Sequence, residues 1–200
     1  MIQALIFDVG GVLLRTKDRA PRQQWEARLE LAAGGAEALV FNSEMGQKAQ
    51  RGETSEAALW QWIGEHLGIS REETAAFRTG FWAGDVMDEQ IISLIRQLKA
   101  TYQTAIISNY TDNLRAELSH QFCIADAFDE IIISAEEQIM KPDPEIFHRA
   151  LERLRRKPEE AVFIDDFKHN VQAAKDVGMA AIHFQAGMNL ADALEQFGIT

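Results

Sequence analysis

Four short apolar runs, each ending in a polar cluster, constrain this chain more than any other feature. Ala4-Leu5-Ile6-Phe7 runs into Asp8, and Val9-Gly10-Gly11 follows at once. Thr104-Ala105-Ile106-Ile107 leads to Ser108-Asn109, and Ile131-Ile132-Ile133-Ser134 leads to Lys141-Pro142-Asp143-Pro144. Ala161-Val162-Phe163-Ile164 leads to Asp165-Asp166, with Asn170 beyond. Short apolar runs bounded by turn residues read as buried strands. An unpaired carboxylate at the tip of such a strand is costly, whereas open α/β sheets place their ligands outside the carboxyl ends of parallel strands. Taken singly, each cluster has a plainer reading: Asp8 as a turn residue, Ser108-Asn109 as a capped turn, Lys141 as a surface lysine before a helix. Taken together, at the same end of their strands, they fill one crevice of a parallel sheet.

Between the first two runs, from about Asp18 to Val86, the pattern is helical with no strand alternation. Ser70-x-x-Glu73 has the form of a capping box. Thr54 or Ser55 opens a further helix that Gly68 closes, and Gly34-Gly35 marks a helix–helix turn. Beyond the insertion, Asp88 is an N-cap for a helix with Ile91, Ile92, Leu94, Ile95 and Leu98 at helical spacing. Strands and helices then alternate. Asp143-Pro144 starts one helix, Ala180–Phe184 reads as a strand, and a last helix lies near Leu190–Phe197. The expected fold is α/β, a Rossmann-like parallel sheet core from residues 1–17 and 87–200 with a helical insertion at 18–86. The insertion holds all four tryptophans, Trp25, Trp60, Trp62 and Trp82, as a small helical bundle needs for its own core.

A formal net charge of −11 argues against nucleic acid, whose phosphates require a basic surface. The basic run Arg153, Arg155-Arg156-Lys157 sits at a helix end, where it complements the helix dipole. No apolar run approaches the ~18 residues of a membrane span, and the N-terminal apolar stretch stops at Asp8 without a basic leader. The single cysteine, Cys123, excludes an internal disulfide and is expected in the core or just beneath the surface. The expected setting is cytoplasmic, with no membrane or nucleic-acid partner.

A carboxylate able to act as a nucleophile, a hydroxyl beside an amide, a lysine and a carboxylate pair suit a phosphoryl group held beside a hard divalent cation, and oxygen ligands suit magnesium. In order along the chain, FDVGGVL, IISN, KPDPEIF and FIDDFKHN resemble the four motifs of the haloacid dehalogenase superfamily. The likeness is to its magnesium-dependent phosphatase branch with a small helical cap. It implies that Asp8 is the nucleophile of an aspartyl-phosphate, and that Ser108 and Asn109 hold the phosphoryl oxygens. Lys141 would neutralise those oxygens and the Asp8 carboxylate. Asp166 would bind magnesium directly, as would the Gly10 carbonyl and Asp8, and Asp165 would bind it directly or through water. One residue departs from the pattern. Where the family usually has a second Asp, this chain has Gly10, which keeps the carbonyl and lacks the acid–base side chain.

The resulting expectation is a Mg²⁺-dependent phosphatase of small phosphorylated metabolites, with sugar phosphates in view. A metal-independent haloacid dehalogenase and a non-catalytic phosphometabolite-binding protein are the alternatives. His169 and Lys168 are candidates for the missing proton donor. Glu44, Lys48 and Arg51 are polar candidates for contact with the leaving group from the insertion.

Overall fold

A computed structural model describes residues 1–199. Its centre is a five-stranded parallel sheet of order β5-β4-β1-β6-β7. The strands are β1 (Ala4–Phe7), β4 (Gln103–Ser108), β5 (Glu130–Ile133), β6 (Ala161–Asp165) and β7 (Ala180–His183). Phe7 lies opposite Ile106 on one side and Ile164 on the other. The strands are apolar on both faces because both faces are covered. Leu5 and Phe7 pack with Ile91, Ile92 and Ile95 of α6 (Glu89–Leu98), while Ala4 and Ile6 pack with Ile146, Phe147 and Ala150 of α9 (Pro144–Leu154). Asp88 caps α6 through Oδ1, which accepts from the N–H groups of Gln90 and Ile91. Asp143 caps α9 in the same way, with Pro144 at its first turn. The chain runs outward from β1 through β4 to β5, then crosses back to β6 and β7. This places a topological switch beside β1, the position at which doubly wound sheets open a ligand crevice.

Residues between Thr16 and Asp85 form α1 (Ala20–Arg28), α2 (Gly35–Glu37), α3 (Glu44–Gln50), α4 (Glu56–Leu67) and α5 (Arg71–Trp82). They have a separate core of Val40, Leu59, Trp60, Ile63, Phe77 and Phe81, with Trp25, Trp62 and Trp82 packed against it. Ser55 and Ser70 cap α4 and α5, and Gly68 ends α4 in the left-handed conformation. The expected purely helical insertion needs one correction. Its end, Asp85–Met87, is a strand (β3) paired antiparallel with β2 (Leu14–Thr16). Three residues are too few to show alternation, and their partners lie far away in sequence. Arg22 is buried and ties α1 to this ribbon, donating to the Phe81 carbonyl, Glu37 and Asp85 at 2.7, 2.6 and 2.5 Å.

The helical segment rests on the sheet domain at few points. The hydroxyl of Ser134, in α8 (Ser134–Glu137), donates to the Gln50 carbonyl at 2.6 Å and accepts from the Tyr110 N–H at 3.0 Å. Asp112 accepts from the Glu56 N–H at 2.9 Å, so a sheet-domain carboxylate caps α4 alongside Ser55. Gly52, at φ +70°, brings the backbone so close that a Cβ would stand 2.0 Å from the Ala135 carbonyl oxygen. The short α7 (Leu114–Ala116), α10 (Lys168–Asp176) and α11 (Leu190–Glu195) complete the fold. Cys123 is exposed, contrary to expectation. It stands at φ 52° in the turn after residues 117–121, which directs its thiol outward toward the His120 carbonyl. Among the described residues no helix is long and apolar enough to cross a membrane.

Candidate active site

The polar clusters meet at the carboxyl ends of β1, β4 and β6. The Asp8 N–H continues the sheet ladder by donating to Ile164 O at 2.9 Å. The chain then turns sharply, with the Leu13 and Leu14 N–H groups both donating to the Val9 carbonyl. The Asp8 carboxylate is almost wholly buried, and its Oδ1 accepts from the Val9 N–H at 2.7 Å. Gly11 has φ +75°, and a Cβ there would lie 2.1 Å from Asp166 Oδ2. The missing side chain is the cradle in which the Asp166 carboxylate rests. Gly10 is different: its φ is outside the left-handed region, and a Cβ would meet no heavy atom within 4 Å.

Lys141 lies between two carboxylates, its Nζ 2.9 Å from Asp8 Oδ1 and 2.7 Å from Asp165 Oδ2. Asn109 holds the main chain of this lysine at both ends. Its Oδ1 accepts from the Lys141 N–H, and its Nδ2 donates to the Lys141 carbonyl, each at 2.8 Å. The carboxamide of Asn109 is therefore committed to Lys141. The group it leaves for a ligand is its main-chain N–H, which has no hydrogen-bond partner among the described residues, and the Gly10 N–H is likewise free. Ser108 is buried with its hydroxyl bonded to no other described residue.

The carboxylate pair divides its work. Asp165 is wholly buried and accepts four hydrogen bonds: Lys141 Nζ on Oδ2, the Phe167 N–H at 2.7 Å on Oδ1, and Asn170 Nδ2 at 3.1 Å on each oxygen. Both oxygens are saturated, so direct metal coordination would displace one of these donors. Asp166 is the reverse case. Its Oδ1 is buried without a partner, and its main-chain carbonyl lies 2.9 Å from His183 Nε2. Carboxylate oxygens of Asp8, Asp165 and Asp166 lie within 4.8 Å of one another. An all-oxygen donor set with one buried, unpartnered carboxylate oxygen fits a hard divalent cation.

The electrostatics follow from this crowding. Burial pushes the Asp8 carboxyl up to about 7; Lys141 pulls against the shift, while Asp165 and Asp166 add to it. Burial opposes the charge on Lys141, yet Asp8 and Asp165 more than offset it and hold the ammonium above its usual pKa. Asp166 is raised by burial and by repulsion from Asp165. A cation placed here would relieve the raised Asp8 and Asp166 carboxylates.

Asp8, Ser108, Asn109, Lys141, Asp165 and Asp166 thus come together at one crevice, with Gly10 in the turn beside them. The polar candidates further out do not join them. Lys168 and His169 are exposed. Glu44 pairs with Lys48 at 2.7 Å and Arg51 with Glu53 at 2.6 Å. Two contributors escaped the sequence reading, Gly11 as cradle and His183 beneath Asp166; Asn170, named in the fourth cluster but given no role, braces Asp165. The spacing of Asn170 from Asp165, one turn into a helix that starts just past the strand, was the available signal.

A family model described as haloacid dehalogenase-like hydrolase matches residues 2–178. The chain belongs to that family. It is 31% identical over 188 residues to a sesquiterpene phosphatase from Aspergillus oryzae, covering 90% of this chain and 89% of the relative. It is 25% identical over 196 residues to a D-ribitol-5-phosphate phosphatase from Bacteroides thetaiotaomicron, covering 94% of each. The bifunctional epoxide hydrolase 2 of Mus musculus is 36% identical over 88 residues, but that match spans only 16% of its length. Among solved structures, a family enzyme from Bacteroides thetaiotaomicron in complex with magnesium and inorganic phosphate superposes with a TM-score of 0.80 at 22% identity, over 96% of this chain and 99% of that one. An L-2-haloacid dehalogenase from Xanthobacter autotrophicus gives 0.65 at 20% identity, over 100% and 85%. At these identities the likeness is one of fold, and this hydrolase shares it with both chemistries.

Proposed function

We propose that this hydrolase cleaves monoesters of phosphate, on small phosphorylated compounds, through an aspartyl-phosphate at Asp8. The observation that carries the reading is the Lys141 ammonium held between Asp8 and Asp165, beside the open oxygen of Asp166. The names of the two full-length relatives, both phosphatases, support it. In this reading Asp8, Asp166 and the Gly10 carbonyl would hold Mg²⁺, with Asp165 reaching it directly or through water. Bound there, the ion would supply positive charge that screens the phosphoryl oxygens from the attacking carboxylate.

The work of the chain's own residues follows. Lys141 neutralises the Asp8 carboxylate and the incoming phosphoryl oxygens, while the Ser108 hydroxyl and the Asn109 N–H orient those oxygens. An Asp8 oxygen then bonds to phosphorus as the ester P–O bond breaks, and the electron pair leaves on the alcohol oxygen, which takes up a proton. Water next attacks the same phosphorus, loses a proton, and releases inorganic phosphate with the Asp8 carboxylate restored. Gly10 offers no side chain for either proton transfer, so leaving groups of low pKa are favoured. Residues 18–86 act as the cap and residues 1–17 with 87–200 as the catalytic core. An exposed free thiol at Cys123 accords with a reducing, cytoplasmic setting.

The test is phosphate release from a panel of phosphate monoesters, with and without Mg²⁺, for the native protein and Asp8→Asn. Turnover that needs Mg²⁺ and vanishes in the variant is expected. Turnover by Asp8→Asn, with deamidation excluded, overturns the covalent route. Halide release from 2-haloacids without metal would favour the dehalogenase reading.

A further inference from the structure

One hydroxyl outside the machinery described above joins the insertion to the loop that carries Ser108 and Asn109. Ser134 opens α8 at the end of β5 and is wholly buried. Its Oγ accepts from the Tyr110 N–H at 3.0 Å, donates to the Gln50 carbonyl at 2.6 Å, and lies 3.2 Å from the Tyr110 carbonyl. A serine hydroxyl has one proton to give. The shorter contact is the one to Gln50, so the groups form a chain that runs one way, from the Tyr110 N–H through Oγ to the insertion. Donation at one end of such a chain strengthens acceptance at the other.

Neither end of the chain has a substitute. Gln50 is the last residue of α3, and its carbonyl is one of the terminal acceptors that a helix cannot satisfy itself. Among the described residues it takes no other hydrogen bond, and the Tyr110 N–H has no other acceptor. Gln50 is itself fixed, its carboxamide donating to the carbonyls of Phe41 and Gly46 at 2.8 and 3.2 Å. On the core side, the Tyr110 N–H belongs to the peptide that carries the Asn109 carbonyl. Holding that peptide fixes the main chain of Asn109, whose carboxamide is already committed to Lys141. The Tyr110 ring meets the insertion too, 5.9 Å from Trp82.

We propose that Ser134 is a positioning residue that registers whether the insertion is seated and passes this to Asn109. With residues 50–52 against α8, the Ser134 proton lies on the Gln50 carbonyl and a lone pair of Oγ holds the Tyr110 N–H. The Asn109 N–H is then aligned for a phosphoryl oxygen. With Gln50 withdrawn, the proton has only the Tyr110 carbonyl, an acceptor on the same residue whose N–H it must hold, and the loop slackens. Turnover is thereby tied to the seating of the insertion. The inference rests on the phosphatase reading and deepens it by naming how that site is regulated. Gly52 is what lets the two segments come so close, since a Cβ there would stand 2.0 Å from the Ala135 carbonyl oxygen.

The experiment compares the native protein with Ser134→Ala, Gly52→Ala and the double variant. Three quantities are measured: phosphate release from p-nitrophenyl phosphate with Mg²⁺, well below each melting temperature; Tm; and exchange of the Tyr110 amide hydrogen by NMR. Gly52→Ala leaves Ser134 in place but forces residues 50–52 and α8 apart by more than an ångström, which breaks the hydrogen bond to Gln50. Each single variant should lower kcat about two- to tenfold, the value of one hydrogen bond, with a smaller change in KM. Because both act on one chain of contacts, the double variant should be no slower than the slower single one. The Tyr110 amide should exchange faster in Gly52→Ala by a similar factor. A Ser134→Ala protein with lowered Tm and native kcat, losses that multiply in the double variant, or native Tyr110 exchange in Gly52→Ala each overturn the inference. Should Gly52→Ala fail to fold, kcat against Tm in Ser134→Ala decides alone. If the native protein turns over no phosphate ester, the phosphatase reading falls, and Tyr110 exchange in Gly52→Ala still decides whether Ser134 couples the insertion to the loop.

Discussion

Adjacent glycines in the turn after Asp8 offer a matched test of the proposed metal site. At Gly11 a methyl group would stand 2.1 Å from Asp166 Oδ2, whereas ordinary contact begins near 3.4 Å, so the carboxylate would retreat by about 1.3 Å. Magnesium–oxygen bonds are ~2.0–2.1 Å and tolerate little distortion, so if Asp166 is a ligand, a retreat of that size removes it. Gly11 also sits at φ +75°, where a Cβ costs roughly 1–2 kcal/mol. For a chain of this length that is a fall in Tm of roughly 2–8 °C. Gly10→Ala meets neither obstacle. Calorimetric titration of the metal-free proteins with Mg²⁺, paired with scanning calorimetry, reads both effects. Gly11→Ala should bind Mg²⁺ at least ~100-fold more weakly, beyond the usual effect of an outer-shell change, and unfold at lower temperature. Gly10→Ala should match the native protein in both. If Gly11→Ala bound Mg²⁺ as tightly as the native chain, Asp166 would not be a ligand, and the cradle argument would be wrong.

Asn109→Ala removes both hydrogen bonds to the Lys141 main chain and should destabilise by about 1–3 kcal/mol; urea unfolding measures this, and kcat should fall more than KM rises because the lysine is misplaced. Burial outweighs Arg78 and holds the Glu56 carboxyl above its usual value. A folded pKa above the unfolded one means that the contribution of Glu56 to stability is greatest below about pH 4 and is lost as pH rises through the folded value. The stability of the native protein minus that of Glu56→Gln should therefore decline as pH rises above about 4, and a difference that grows with pH would contradict the assignment. Gly10→Asp places an acid where a side chain has room, so alkyl phosphates should gain up to ~10²–10⁴ in rate while aryl phosphates gain little; equal gains on both would show that protonation of the leaving group was not limiting.

The convergence of Asp8, Ser108, Lys141 and the Asp165–Asp166 pair was legible because each follows a strand too apolar to be anything but buried, and parallel strands share their ends. The helix starts at Ser55, Ser70, Asp88 and Asp143 were legible for a local reason, since a cap needs only the residues beside it. What escaped depended on distance along the chain or on direction in space. No pattern in Asp85–Met87 announces a partner at Leu14–Thr16. The committed carboxamide of Asn109 and the saturation of Asp165 depend on which donors arrive from Lys141 and Asn170, many residues away or one turn into another element. Sequence identifies a carboxylate pair. It cannot say which member has lone pairs to spare. Cys123 was misplaced because it falls in a left-handed turn on the surface, which its residue type does not announce.

The pairing of β2 with β3 has a consequence for how such a molecule can change over generations. Leu14 stands across from Met87 and Thr16 from Asp85, so the chain leaves the sheet domain and re-enters it at nearly the same point. To the sheet, everything between is the loop of a hairpin, and the entropy of closing a loop grows only slowly with its length. A lineage can therefore lengthen, shorten or replace the helices above the crevice while the ribbon below keeps the turn after Asp8 in register. Trimming the insertion to a tight reverse turn joining Thr16 to Asp85 would leave the sheet's own hydrogen bonds intact. If the insertion is the cap proposed above, new preferences can arise by exchanging its helices without touching the crevice at the ends of β1, β4 and β6.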